Sequence, residues 1–379
     1  MHPLRPRDPN EAHRAATPLE LFFDLVIVIA VASVTETFHH AIAHGHGLAF
    51  LPNFVFLFLA IWWSWMNFTW FASSFDNDDT LYRSLTFVIL IGALLFAGGV
   101  AHITETLDFR YGLIGWIVMR IGMIGLWLRA ARGSEVHRRA ALTYAGGIAL
   151  AQACWTLLYV LVPAGSPAFF GFGALCFLLE FAVPVVAEQQ ARTPWHRHHL
   201  AERYGLLTII VLGEVLLSIA RAFGMMSEAG APKLALAVSA LSGLTIVFAL
   251  FGTYFTSDEQ ITSLRFRRVL TWGYGHVFFF GAVAALGAGL AAETDVAAHT
   301  AHVSAAAVSG FVGVPLALAW ATLWIIRDRY LDLGLRRYAL PGAAAGALVL
   351  AGLGAPVWAY AALSLALHAA RIPLRQAPD

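Results

Sequence analysis

The sequence predicts an all-α polytopic membrane protein with about twelve transmembrane helices, arranged as two parallel six-helix repeats. Three observations carry this reading. Of 379 residues, 59% are hydrophobic and 12% charged, against roughly 45–50% and about 25% in an ordinary soluble domain. Apolar blocks of about 20 residues, the length needed to cross a bilayer core of roughly 30 Å, follow one another through the chain. Positive charge is carried almost entirely by arginine, with Lys233 the single lysine, and it collects in alternate loops. A soluble enzyme and a disordered chain are excluded. With a formal net charge of +1, no global field recruits nucleic acid. The bilayer is the expected partner, together with a small solute or ion of unknown identity, and a homodimer is open as an assembly.

The first 18 residues, MHPLRPRDPNEAHRAATP, are polar and proline-rich, so no cleavable signal is expected and the first helix directs insertion. Spans are expected near Leu19–Ala43, Leu51–Ala72, Tyr82–Thr104, Tyr111–Arg129, Ala140–Val162 and Ala168–Ala187 in a first half, 19–187. A cytoplasmic linker, 188–203, leads to a second half, 204–370, with spans near Tyr204–Met226, Leu234–Thr256, Leu270–Ala292, Ala301–Ile326, Tyr338–Leu353 and Ala355–Ala370, then a tail, 371–379. The last two spans are short and separated by Gly354, which fits either a tight hairpin or a re-entrant pair. Alternating the spans from a cytoplasmic N-terminus puts twenty of the 24 Lys and Arg inside, leaves Arg110, Arg221 and Lys233 outside and Arg120 in mid-span. That asymmetry predicts an inner-membrane protein with both termini cytoplasmic. Cys154 and Cys176 lie in apolar runs without ligand spacing, so neither a disulfide nor a metal site is expected, and no cofactor is implied.

An offset of 182 residues superposes two polar landmarks without a gap. Glu20 falls on Glu202, and the loop residues Asp76, Thr80 and Arg83 fall on Asp258, Thr262 and Arg265. Because six helices is an even number, such halves are parallel repeats about an axis normal to the membrane, with a shared site expected between them.

The words TPLELFFDLV at Thr17–Val26, WWSWMNFTWFASSFDNDDTLYR at Trp62–Arg83 and ERYGLLTIIVLGE at Glu202–Glu214 resemble, in order, those of the bacterial low temperature requirement A family. The resemblance implies a many-helix inner-membrane protein, named for a cold-growth phenotype. The family form of the last word usually ends Gly-Glu-Ser, whereas Val215 follows Glu214 here and supplies no hydroxyl. LELFFDLVIVIA is also similar to the opening helix of a group of potassium channels of lysosomes and bacteria, built from six-helix repeats. Phe23 and Asp24 match their Phe-Ser-Asp word but the serine is absent, so this likeness raises transport without carrying over a pore residue.

Ionisable groups at lipid depth need a partner or a wet cavity, and they are the natural site candidates. In helix 1, Glu20, Asp24, Thr35 and His39 share a stripe, while Glu36 points elsewhere. The plainer reading makes Glu20 a complement to the helix dipole and His39 part of an outer histidine-rich loop. In helix 7, Arg203, Glu214 and Arg221 share a face, and the economical expectation is a buried pair between Glu214 and Arg120. Glu180, His102 and His276 are the remaining deep candidates, each also readable as a packing residue. The loop residues Asp76, Thr80 and Arg83, with Asp258, Thr262 and Arg265, invite a phosphate or metal reading, but helix capping and interfacial anchoring explain the same pattern. The aromatic run Trp62, Trp63, Trp65 and Trp70 offers faces on which a planar ligand could stack, but its spacings also fit an interfacial belt and helix packing, the preferred reading. The function expected is a secondary transporter or ion-conducting protein. The alternative is a membrane-embedded enzyme acting on a lipid or isoprenoid by general acid/base catalysis through Asp24, Glu36, His39 or Glu214. No Walker A, GxSxG, HExxH or GxGxxG word opens another class.

Overall fold

A computed structural model of the chain describes residues 4–11, 14–106, 108–228, 230–255, 261 and 265–371. Among them are twelve α-helices: α1 (Pro18–Ala43), α2 (Gly47–Phe75), α3 (Thr80–Thr106), α4 (Arg110–Gly133), α5 (Arg138–Leu161), α6 (Pro167–Gln190), α7 (Arg197–Met225), α8 (Lys233–Tyr254), α9 (Phe266–Ala297), α10 (Ala305–Ile326), α11 (Ala339–Gly352) and α12 (Val357–Arg371). The first ten are long and apolar enough to cross a membrane. The chain is an all-helical integral membrane protein.

The first helix shows why a bilayer is required. It exposes Leu21, Phe22, Leu25 and Ile29, while Glu20 and Asp24 are 0% exposed. In water that arrangement is backwards, but hydrocarbon makes the apolar face the solvated one and leaves the carboxylates to be satisfied inside.

α7 begins at Arg197, so most of the expected linker 188–203 is helix and the connection shrinks to 191–196. His199 and Arg203 are fully buried against partners. Polar residues that are paired inside extend a helix beyond the block that hydropathy marks.

The chain divides into two compact units, the first holding residues 1–34 and 56–204 and the second 35–55 and 205–379. This division differs from the halves expected at 19–187 and 204–370, because the end of α1 and the start of α2 belong to the second unit.

In the first unit α3 packs on α4, α4 on α5 and α5 on α6. The α3–α4 contact is backbone to backbone: a Cβ on Gly92 would lie 2.5 Å from the Gly115 carbonyl oxygen, and one on Gly115 would lie 2.6 Å from that of Gly92. Small residues at such crossings are how membrane helices gain packing without a hydrophobic driving force. Trp127 of α4 stacks on Tyr144 of α5 with centroids 3.9 Å apart. The N-terminal segment is pinned to this unit, since Leu4 is fully buried and its carbonyl fills the space a Cβ on Gly133 would need.

In the second unit α9 packs on α10, α10 on α11 and α8 on α12. α11 and α12 have 14 and 15 residues, about 21–23 Å each, against about 33 Å for the 22 residues of α10. The turn between them lies at the start of α10, where Ser309 Oγ donates to the Ala355 carbonyl at 2.8 Å. At the other end Arg371 reaches Asp328, just beyond α10, at 2.5 Å. The 3₁₀ turn Gly334–Tyr338 leads directly into α11. Contacts near both ends of α10 thus hold the hairpin, with α11 packed on α10 and α12 on α8, and Gly354 closes it with a positive φ of 62°.

Candidate functional site

Three helices of the first unit each present two polar residues four positions apart, the spacing that stacks side chains on one face. α1 offers Glu20 and Asp24, α2 offers Trp65 and Thr69, and α7 offers His199 and Arg203. Thr17 and Glu20 form a capping box that fixes the entry of α1. The Thr17 N–H donates to Glu20 Oε2 at 2.7 Å, and the Glu20 N–H donates to Thr17 Oγ1 at 3.2 Å. The other oxygen of Glu20 faces α7, with His199 Nε2 at 3.0 Å and Arg203 Nη1 at 3.1 Å. Arg203 Nη2 donates to Asp24 Oδ1 at 2.6 Å and to Thr69 Oγ1 at 3.3 Å. Trp65 Nε1 donates to the same Asp24 oxygen at 2.7 Å.

One guanidinium thus serves two carboxylates, and Glu20, Asp24, His199 and Arg203 are all 0% exposed. Asp24 Oδ2, His199 Nδ1, Arg203 Nε and the hydroxyl of buried Tyr82 have no hydrogen-bond partner among the described residues. Tyr82 lies within electrostatic reach of Glu20 and Arg203. Unused donors and acceptors beside an imperfectly balanced charge set leave capacity for a proton, a cation or a small polar guest.

The cluster continues outward to Asp76, in the loop after α2. Its carboxylate lies 3.7 Å from Arg7 and 4.0 Å from Arg14 and accepts from the Asp78 N–H at 2.9 Å. Arg14 also donates to the carbonyls of Ala72 and Ser73, capping the C-terminal end of α2. Burial, with the charge of Glu20 nearby, pushes the Asp76 carboxyl up to about 6 despite the two arginines.

The rest of the loop motif is structural. Asp79 caps α3 by accepting from the Tyr82 N–H at 2.9 Å and pairs with Arg129, which holds its carboxyl at about 2. Thr80 is the exposed first residue of α3, and Arg83 pairs with Asp78 at the surface. Asp258 and Thr262 lie outside the described residues, and Arg265 is the exposed residue preceding α9.

The expected partner of Arg120 is corrected. Its Nη2 donates to Glu180 Oε1 at 2.9 Å, not to Glu214, and Trp63 Nε1 donates to Glu180 Oε2 at 2.8 Å. Arg120 also lies over the Trp116 ring, 5.0 Å from its centroid. These contacts close one buried knot among α2, α4 and α6 and leave Glu214 to other company. Glu214 is half-buried in the second unit, where Arg221 and Glu36 act on its charge. His102 is not deep: its ring is 43% exposed near the end of α3, 3.6 Å from Asp108. His276 is a packing residue. Its Nδ1 bonds the Trp272 carbonyl at 2.7 Å and its Nε2 the Tyr254 hydroxyl at 3.1 Å.

At the far end of α1, His39 Nε2 meets Asp295 of α9 at 2.6 Å. Glu36 is bound by Arg221 at 2.9 Å, so the residue expected to point elsewhere is the partner of an outer arginine. Sequence reasoning missed His199, the hydrogen bond from Trp65 to Asp24, Tyr82 and Arg14. It also missed a second buried knot, in which Asp328 binds Arg327 at 2.8 Å and Arg371 at 2.5 Å. Only the repeated four-residue spacing offered a signal for the first two, and nothing local marks the others.

A model of the bacterial low temperature requirement A protein family (LtrA) matches residues 15–372, nearly the whole chain, and the chain belongs to this family. It is also 24% identical over 277 residues to the uncharacterized protein RA0937 of Rhizobium meliloti (strain 1021), across 68% of this chain and 62% of that protein. No solved structure matches. The three sequence words that carry the resemblance supply Glu20, Asp24, Trp65, Thr69, Asp76, Tyr82 and Arg203, all of which meet in or beside the one buried cluster.

Proposed function

We propose that this member of the low temperature requirement A family is a secondary transporter or ion-conducting protein of the inner membrane, with the Glu20–Asp24–His199–Arg203 cluster as its proton- or cation-exchanging site. One observation carries the proposal: two buried carboxylates share one buried arginine. Arg14 acts on Glu20 only from a distance, so a proton, on His199 or on a carboxyl group, or a cation completes the balance of the second negative charge. Uncompensated charge at lipid depth is costly, so a site that alternates between these states couples an ion to whatever rearranges around it.

The wider architecture we propose is twelve crossings with both termini cytoplasmic, the α11–α12 hairpin counting as two, and the halves being parallel six-helix repeats. The packing series supports it. α3 on α4, α4 on α5 and α5 on α6 in one unit have counterparts in α9 on α10, α10 on α11 and α11 on α12 in the other. α2 meets α6 through Trp63 and Glu180 as α8 meets α12. Arginines cap α2 and α8 alike, Arg14 at the carbonyls of Ala72 and Ser73 and Arg327 at those of Thr253 and Tyr254.

The test is flux through the purified full-length protein in liposomes under imposed proton, Na⁺ or K⁺ gradients. Wild type is expected to carry a pH-dependent flux. Asp24→Asn keeps the side-chain shape but removes the charge, and it should abolish that dependence while the protein stays monodisperse. An Asp24→Asn profile identical to wild type, or wild-type flux no greater than that of empty liposomes under every gradient, would overturn the proposal.

A further inference from the structure

We infer that the second unit carries a zinc-binding site at the end of α1, with Glu36, His39 and His40 as ligands and Asp295 as the group that orients His39. The three ligand residues fall at i, i+3 and i+4 on one helix, and one donor atom from each lies within 4.8 Å of the others. Glu36 Oε1 is 3.3 Å from His40 Nε2, and Glu36 Oε2 is 3.8 Å from His39 Nδ1. Ligands about 2.0–2.1 Å from a tetrahedral Zn²⁺ stand roughly 3.4 Å apart, so the set closes when the exposed His40 ring turns out of its stack on His39 and Glu36 shifts to meet it.

The independent observation is His39 itself. Its side chain is 9% exposed, and its Nδ1 is buried with no hydrogen-bond partner among the described residues. On the opposite side of the ring, Nε2 lies 2.6 Å from Asp295 Oδ2. A carboxylate that accepts a hydrogen bond from Nε2–H fixes the tautomer that leaves the Nδ1 lone pair open beside Glu36, and the His40 ring stacks on the His39 ring with centroids 4.8 Å apart. That carboxylate–histidine relay is the usual outer support of a zinc ligand. Two imidazoles and one carboxylate suit Zn²⁺ rather than Ca²⁺ or Mg²⁺, which take oxygen donors. Three protein ligands leave a fourth position for water or another small ligand.

Arg221 is the built-in competitor. Its Nη1 holds both oxygens of Glu36, at 3.0 and 2.9 Å, from a side chain that is 52% exposed. Zinc and the guanidinium compete for the same two oxygens of Glu36, so removing the arginine should strengthen zinc binding.

The experiment uses untagged full-length protein in detergent, stripped of metal, titrated with Zn²⁺ against a chromophoric chelator and with Co²⁺ by visible absorption. Wild type should bind a single equivalent and give the intense bands of tetrahedral Co²⁺. His40→Gln, at an exposed position that leaves folding intact, should lose both signals. Asp295→Asn should weaken zinc by about 10–100-fold, and Arg221→Gln should tighten it. His44→Gln with His302→Gln should change neither. Wild type that fails to compete with the chelator, or His40→Gln with wild-type affinity, overturns the inference.

Discussion

Arg203 and Arg120 show two outcomes for a buried guanidinium. Arg203 is shared by two carboxylates and leaves charge to be balanced, whereas Arg120 has a single carboxylate in Glu180 and closes its account. The Arg120–Glu180 pair, with both side chains 1% exposed, should behave as a structural pin. Arg120→Gln or Glu180→Gln alone should lower stability by roughly 3–5 kcal/mol by leaving a buried charge unpaired, while the double variant should lose much less. Thermal melting in detergent reads this, and additive losses would count against a direct pair. Asp76 gives a prediction with a defined pH window. Its carboxyl lies near 6 when folded against an ordinary value of 3.8, so the folded chain holds this proton more tightly than the unfolded one. Its ionisation therefore opposes folding: the penalty is absent below about pH 4, grows between about pH 4 and 6, and is complete above, reaching at most about 3 kcal/mol. Asp76→Asn should melt higher than wild type at neutral pH and converge with it near pH 4; equal melting curves at every pH would contradict this. The acids themselves were visible in the sequence, since a carboxylate in an apolar block stands out. Their partners were not, because Trp65 and His199 read as ordinary packing or loop residues until three helices bring them together.

At the scale of elements, the ten long helices were legible because hydrocarbon imposes one composition on every lipid-facing stretch. The start of α7 was not, since hydropathy averages over a window and cannot know that HRHHLAERY will be satisfied internally. The last two helices were legible as a pair but not in their function as a hairpin matched to α10, which depends on contacts from Ser309 and Asp328 that lie far away in sequence. Glycine positions decide how closely neighbours approach. Gly115→Leu should push α3 from α4 and cost about 1–3 kcal/mol through overpacking, whereas Gly146→Leu on α5, where a Cβ meets nothing within 4 Å, should be tolerated. Comparing the two by thermal melting separates a crossing contact from a general dislike of bulk.

For the whole molecule, an even number of crossings would bring both termini to the same side of the membrane. Reporter fusions after Arg139 and Pro378 should read cytoplasmic and one after Gly165 periplasmic; a periplasmic reading after Arg139 would reverse the sidedness of the first helices. The Glu20–Asp24–His199–Arg203 cluster is proposed to exchange a proton or cation as the protein works. Infrared difference spectroscopy of the full-length protein in lipid, recorded as pH or the cation is stepped, observes its carboxyl groups directly. A carboxyl or carboxylate band is expected to change with the step and to be lost in Asp24→Asn or Glu20→Gln but kept in Glu180→Gln. A difference spectrum with no carboxyl change, or one unaltered by both site variants, would contradict it.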